Sequence, residues 1–218
     1  MEHSEIISRV DHTLLRPDAV WEDIRTVCDE AIRFGAASVC IPPCFVKSAV
    51  NYAAGAIPIC TVIGFPNGYS TTDSKKYEVQ EALRNGASEL DMVVNIGNIK
   101  AHEFDKVFDE LITIRGACGD SVLKVIVETC LLSEEEKIVM CQLISDSGAN
   151  FIKTSTGFST GGAAIEDIAL FKKHKKPHLK IKASGGIRTF EEAERFINAG
   201  ADRIGASALV KLLVERRA

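Results

Sequence analysis

Along the chain, polar segments with apolar residues every three or four positions alternate with short, nearly continuous apolar runs. One junction keeps returning between them. In "RFGAASVCI", "YAAGAIPICTVIGF", "RNGASELDMVVNI", "DSGANFIKTS" and "NAGADRIGAS", a polar segment ends at a glycine and an apolar run follows at once. The glycine suits the left-handed residue just past a helix C-terminus, and the run suits a strand covered on both faces. Gly119 and Pro177 punctuate two further junctions, "GACGDSVLKVIVET" and "HKKPHLKIKASGG". Helix starts are marked as well: Ser133 with Glu136 and Thr189 with Glu192 fit the capping box, in which a hydroxyl and a carboxylate satisfy each other's orphan N–H groups. With "RVDHTLL" as the first strand, the pattern predicts eight strands alternating with helices and no linker. Such alternation gives an α/β protein with a parallel sheet, and eight strands in 218 residues predict a closed (β/α)8 TIM barrel, a single domain over residues 1–218. An open doubly wound sheet is the alternative, disfavoured because no G-x-G-x-x-G follows the first strand.

Within the predicted strands, side chains two apart share a face. One face collects Glu89, Asp91, Val93 and Asn95, then Lys124, Ile126 and Glu128, then Phe151, Lys153 and Ser155, then Lys180, Lys182 and Ser184. The other collects Leu90, Met92, Val94 and Ile96, Val125 and Val127, Ile152, and Ile181 with Ala183. The apolar face must pack under the helices, so the charged face points into the barrel, where charges persist only by pairing or neutralising. A purely structural ion-pair network is one reading. The other is an active site, because Lys153 and Lys182 lie near the C-terminal ends of their strands, where barrel enzymes do their chemistry.

Composition narrows this further. A net charge of -4 from mixed residues gives no basic surface for nucleic acid or membranes, and nowhere do eighteen apolar residues run together. The cluster Lys172 to Lys176 reads as a solvated helix end before Pro177. No cationic leader precedes an apolar stretch in the opening residues, so a cytoplasmic protein is expected. The seven cysteines form no C-x-x-C pair and read as reduced core thiols. Of five histidines only His12 falls on a predicted strand, so no metal is expected.

A lysine held near another cation and away from water has its ammonium form disfavoured on both counts, and moving its pKa from ~10.4 to ~7 takes about 4 to 5 kcal/mol. The neutral amine can form a Schiff base, whose iminium draws off electrons so that the adjacent carbon loses a proton as an enamine forms. Asp91, on the same face, is placed to carry that proton directly or through water. Two lysines and one carboxylate thus read as metal-free aldol chemistry with no cofactor. "SGGIR" and "GAS" follow the seventh and eighth strands and open helices. Barrel loops in those places commonly cradle phosphate on backbone N–H groups, so a phosphorylated substrate is expected.

"FIKTSTGF" and "KIKASGGIRTFEEA", preceded by "ELDMVVNIG", "LKVIVETCLL" and "TVIGFPNG", resemble the deoxyribose-phosphate aldolase family from "DHTLL" near the N-terminus to "RIGAS" near the C-terminus. The resemblance implies reversible cleavage of 2-deoxy-D-ribose 5-phosphate to acetaldehyde and D-glyceraldehyde 3-phosphate in deoxyribonucleotide catabolism. It also implies a homodimer or higher homo-oligomer. Lys153 would form the Schiff base, Lys182 would be the cation that tunes it, and Asp91 would serve the proton relay. Gly157, Gly185, Gly186, Arg188, Gly205 and Ser207 would surround the phosphate, with Asp11, Cys40, Lys124 and Thr154 lining the pocket. The choice between the two lysines comes from the resemblance, since spacing alone does not separate them.

Two departures from that pattern bear on the phosphate and the proton. Phe158 stands where some members carry a lysine after the glycine, which shifts the expected phosphate binding toward backbone amides. Some members also end in a tyrosine that reaches back to the site, whereas this sequence ends "VERRA". Competing readings are another Schiff-base phosphosugar aldolase or transaldolase-like barrel, a phosphosugar isomerase using Glu128 or Cys40 as base, and a non-catalytic sugar-phosphate-binding barrel.

Overall fold

The computed structural model describes residues 1–215. Eight strands, β1 (Val10–Thr13), β2 (Ser38–Ile41), β3 (Ile59–Ile63), β4 (Glu89–Val93), β5 (Val122–Ile126), β6 (Phe151–Lys153), β7 (Lys180–Ser184) and β8 (Arg203–Ala206), pair in parallel and in sequence order. The circle closes where Asp11 of β1 registers with Gly205 of β8. The α-helices among the described residues are α1 (His3–Ile7), α2 (Trp21–Phe34), α3 (Val46–Ala53), α4 (Thr72–Arg84), α5 (Ile96–Lys100), α6 (Phe104–Ala117), α7 (Glu134–Asp146), α8 (Ile165–His174), α9 (Phe190–Ala199) and α10 (Leu209–Glu215). This is the closed (β/α)8 barrel that the alternation predicts. No helix among the described residues is long and apolar enough to cross a membrane.

The junctions form for the expected reasons. Gly35 (φ 70°) caps α2 in the left-handed region, and both anticipated capping boxes close, at Ser133 with Glu136 and at Thr189 with Glu192. Buried Ile24, Val27, Cys28 and Ala31 of α2 recur at helical spacing and face the sheet. The expected outer face, with Leu90, Met92, Val94, Val125, Val127, Ile152, Ile181 and Ala183, lies in the main apolar core between strands and helices. Cys40, Cys60 and Val62 form a separate apolar cluster, with Leu15 and Phe65 packed on it.

Strand parity fails where the strands stop. Lys180, expected in the lumen, is exposed at the start of β7, its ammonium 5.7 Å from the centroid of the Phe151 ring. Asn95 follows β4 and caps α5 by accepting the N–H of Asn98. Glu128 follows β5 in a left-handed conformation (φ 53°) that breaks the alternation. The thiols also differ in part from expectation: all seven cysteines are free, but Cys44 and Cys130 are exposed. Both lie on segments that follow strand ends rather than in strand interiors. Arg216, Arg217 and Ala218, the end of "VERRA", lie outside the described residues.

Candidate active site

The inward face of β4 to β7 brings three lysines onto one carboxylate. Asp91 of β4 accepts from Lys124 of β5 at 2.8 Å through Oδ1, and from both Lys153 of β6 and Lys182 of β7 at 2.7 Å through Oδ2. Asp91, Lys124 and Lys182 are fully buried and Lys153 is 3 % exposed. Adjacent parallel strands in register produce the convergence, since Asp91 pairs with Lys124 and Lys153 with Lys182. Gly205 makes room for Lys182: a Cβ there would lie 2.8 Å from the Ser184 Cβ and 3.0 Å from the Lys182 Cε.

Asp11 of β1 closes the network from the other side. It accepts from Lys182, from Arg203 at 2.6 Å and from the Ser38 hydroxyl at 2.8 Å. Lys124 reaches Glu89 at 2.6 Å and Asp11 at 3.5 Å. Burial alone would raise the Asp91 pKa, but Lys124, Lys153 and Lys182 hold it well below the usual carboxylate range. Burial likewise opposes ionisation of Asp11, and Lys182, Lys124 and Arg203 reverse it to the same effect. Burial would lower Lys182, yet the facing Asp11 and Asp91 push its ammonium above the ordinary lysine range. Lys124 is likewise held well above the ordinary lysine range by Asp91, Cys60, Asp11 and Glu89 against the same burial. The lumen is therefore fully ionised at neutral pH at these groups.

Above this network opens a cavity of about 530 Å³ at the C-terminal end of the barrel. Lys153 lies at its floor, and Gly157, Gly185, Gly186, Arg188, Gly205 and Ser207 all line it. Gly185 (φ 88°) and Gly186 (φ 82°) turn the chain after β7 in a conformation that a side chain would strain. At Gly185 a Cβ would also lie 3.0 Å from the Cα of Gly162.

Four residues expected on the pocket wall are not on it. Asp11, Cys40 and Lys124 lie in the lumen beneath, fully buried. Thr154 spends its hydroxyl on β7, donating to the Ser184 carbonyl and accepting the Ser184 N–H, both at 3.1 Å. Its role is to fix β6 against β7. The reason is parity: Thr154 follows Lys153 directly and so turns away from the cavity.

Other members of the site carried no distinguishing signal in the sequence. Arg203 sits in "ADRIGAS" as one arginine among many, and only barrel closure puts it beside Asp11. Glu128 is buried and accepts the N–H of Thr156 at 3.2 Å and its hydroxyl at 2.5 Å. The Thr156 hydroxyl in turn accepts the Phe158 N–H at 3.0 Å. The Phe158 ring meets Phe65 edge-on, with centroids 5.3 Å apart. Among the described residues, one group of donors has metal-like spacing: Cys40, Cys60 and Asp91, within 4.8 Å of one another. Both Asp91 oxygens already accept from ammonium groups, and a cation there would have to displace them.

The sequence matches the model of the DeoC/LacD family of aldolases over residues 5–213. It is 54% identical over 213 residues to the deoxyribose-phosphate aldolase of Clostridioides difficile, and 52% identical over 213 residues to that of Clostridium botulinum. Each alignment covers 98% of this chain and 96% of the relative. Among solved structures, the tetrameric deoxyribose phosphate aldolase of Aeropyrum pernix superposes with a TM-score of 0.91 at 32% identity, covering 100% of this chain and 93% of that one. A barrel with buried, paired lysines at the floor of a glycine-rimmed cavity, matched to that family along nearly its whole length, belongs to the DeoC/LacD aldolases.

Proposed function

We propose that this aldolase reversibly cleaves 2-deoxy-D-ribose 5-phosphate to acetaldehyde and D-glyceraldehyde 3-phosphate through a Schiff base on Lys153. The observation that carries the reading is the position of Lys153. It is the one lysine of the Asp91 cluster that lines the cavity, while Lys124 and Lys182 stay sealed below. The relatives' names supply the substrate, and the glycine-rimmed mouth beside Arg188 fits its phosphate.

The steps are those of Schiff-base aldol cleavage. Lys153 gives up a proton and its nitrogen attacks the aldehyde carbon of the open-chain sugar, and loss of water leaves an iminium. Removal of the proton from the C3 hydroxyl lets the C2–C3 bond break. Its electron pair moves into the iminium, so an enamine remains on Lys153 and glyceraldehyde 3-phosphate departs. Protonation of the enamine carbon and hydrolysis release acetaldehyde and restore the amine. Asp91 accepts a hydrogen bond from the Lys153 nitrogen at 2.7 Å and so is placed to accept and return protons. Because its carboxyl is held so low, it retains a proton poorly and passes it on to water. Lys182, kept charged by Asp11 and Asp91, is the neighbouring cation that shares the Asp91 Oδ2 acceptor with Lys153.

On this reading the enzyme works as one barrel domain, without a cofactor or metal, in the cytoplasm and as a homo-oligomer, the last supported by the tetrameric structure of the Aeropyrum relative. A direct assay of deoxyribose 5-phosphate cleavage, following glyceraldehyde 3-phosphate through its isomerisation to the ketose phosphate and reduction of that by a coupled dehydrogenase, tests the reading. Turnover that survives dialysis against a strong chelator is expected. No turnover, or turnover restored only by a divalent metal, would contradict it.

A further inference from the structure

The cavity wall carries charge of one sign. Among its lining residues are four cationic side chains, Arg16, Lys153, Arg188 and Lys211, and not one carboxylate. Two of the four are committed elsewhere. Lys153 is held by Asp91 at the floor, and Arg16 bonds Asp23 and, at 2.7 Å, Asp18. Among the described side chains, neither Arg188 nor Lys211 forms an ion pair with a carboxylate, which leaves both charges to meet an anion.

Lys211 lies in the first turn of α10 and lines the cavity together with Ser207 and Ala208, which lead into that helix. Phe158, which follows Gly157 on the same cavity lining, adds no charge there and instead packs its ring edge-on against Phe65. Glycine backbone N–H groups can hold phosphate oxygens, but they do not neutralise a dianion. An ammonium on a flexible four-carbon stem can.

Resting on the aldolase reading above, we propose that Lys211 supplies counter-charge to the substrate's phosphate and sets the preference of this chain for phosphorylated over unphosphorylated sugars. The anion is held between the N–H groups of the loops after β7 and β8 and two flexible cations, Arg188 from the α9 side and Lys211 from α10. Lys211 acts at the end of the substrate remote from Lys153, so its contribution falls on binding rather than on bond cleavage.

The test compares cleavage of deoxyribose 5-phosphate and of deoxyribose by the full chain and its Lys211→Ala and Lys211→Arg variants, with calorimetric titration of inorganic phosphate into each. Alanine is a strong helix former, so the exposed replacement keeps α10 intact. Loss of one charge-assisted contact predicts that Lys211→Ala lowers the phosphorylated-to-unphosphorylated ratio of kcat/KM about tenfold, chiefly through KM. Phosphate affinity should fall in parallel, its salt dependence should weaken, and Lys211→Arg should restore most of both. An unchanged ratio together with unchanged phosphate affinity would overturn the assignment. If the unaltered chain cleaves neither sugar, the aldolase reading fails. The phosphate titration then still decides whether Lys211 binds the anion.

Discussion

Lys153 and Lys182 donate to the same oxygen of Asp91, each at 2.7 Å, yet only Lys153 opens onto the cavity. That asymmetry separates two lysines whose sequence surroundings are nearly alike. Lys182 also holds Asp11, so it stays a cation whatever happens at Lys153. Removing it should leave Lys153 with a carboxylate neighbour and one fewer like charge. In Lys182→Leu we therefore expect activity at neutral pH to drop and the lower limb of the pH–rate profile to move alkaline, with partial recovery at high pH. A displacement of two units corresponds to about one hundredth of the activity well below the limb. Lys153→Met should show no recovery at any pH. A Lys182→Leu profile that falls without moving would mean that Lys182 supports the site by holding Asp11 and Asp91 in place and not by tuning Lys153. Strand parity made this pair legible. It could not reveal Lys75, which sits in "SKKY" like any helix-surface lysine. Lys75 is nonetheless fully buried, donating to Glu110 at 2.6 Å and to the Val93 carbonyl at 2.8 Å. Nothing local marks it, because the burying partner is 35 residues away on α6.

At the scale of elements, the segment after β6 is held by the segment after β5. Glu128, in its left-handed conformation, spans from one to the other and takes both the N–H and the hydroxyl of Thr156. Thr156 precedes Gly157 and Phe158, and all three line the cavity. Replacing Glu128 by alanine leaves a buried N–H and hydroxyl unpaired, a loss of about 1–3 kcal/mol. The segment then loses its anchor near the proposed phosphate. Lower thermal stability and a raised KM for the phosphosugar are expected, with Glu128→Gln intermediate because its amide oxygen can still accept the Thr156 N–H. An unaltered KM would show that the segment is positioned by other contacts. Alternation read the strand interiors correctly and missed at the ends, as at exposed Lys180, the first residue of β7. It misassigned Glu128 and Asn95, since backbone that leaves the extended conformation no longer obeys a period of two. The glycine junctions and capping boxes were legible because their physics is local; the Thr156 clamp was not, because it joins separate loops.

For the whole molecule, closure of the sheet is what turns a scatter of charged strand residues into a network, bringing Asp11 and Arg203 across to the four central strands. Its ionisation predicts a pH dependence of stability. Asp11 and Asp91 have folded pKa values below those of the unfolded chain. Their contribution is thus fully present above about pH 4 and is lost as the pH falls through the native values. Lys124 and Lys182 are shifted upward, so theirs is fully present below about pH 10.4 and is lost as the pH rises through the native values. Thermal unfolding across the pH range should show stability declining at both extremes from this network. Asp91→Asn should lose about 3–5 kcal/mol at neutral pH, the cost of breaking a buried pair, and show a shallower acid limb. An acid limb as steep in the variant would place the titrating groups elsewhere.

The central claim is that Lys153, and not its buried neighbour, carries the covalent intermediate. Borohydride reduction in the presence of acetaldehyde, followed by peptide mass spectrometry, reads this out directly. The account predicts a reduced two-carbon adduct on the peptide containing Lys153 and none after Lys153→Met. An adduct confined to Lys182, or trapping that persists in Lys153→Met, would contradict it.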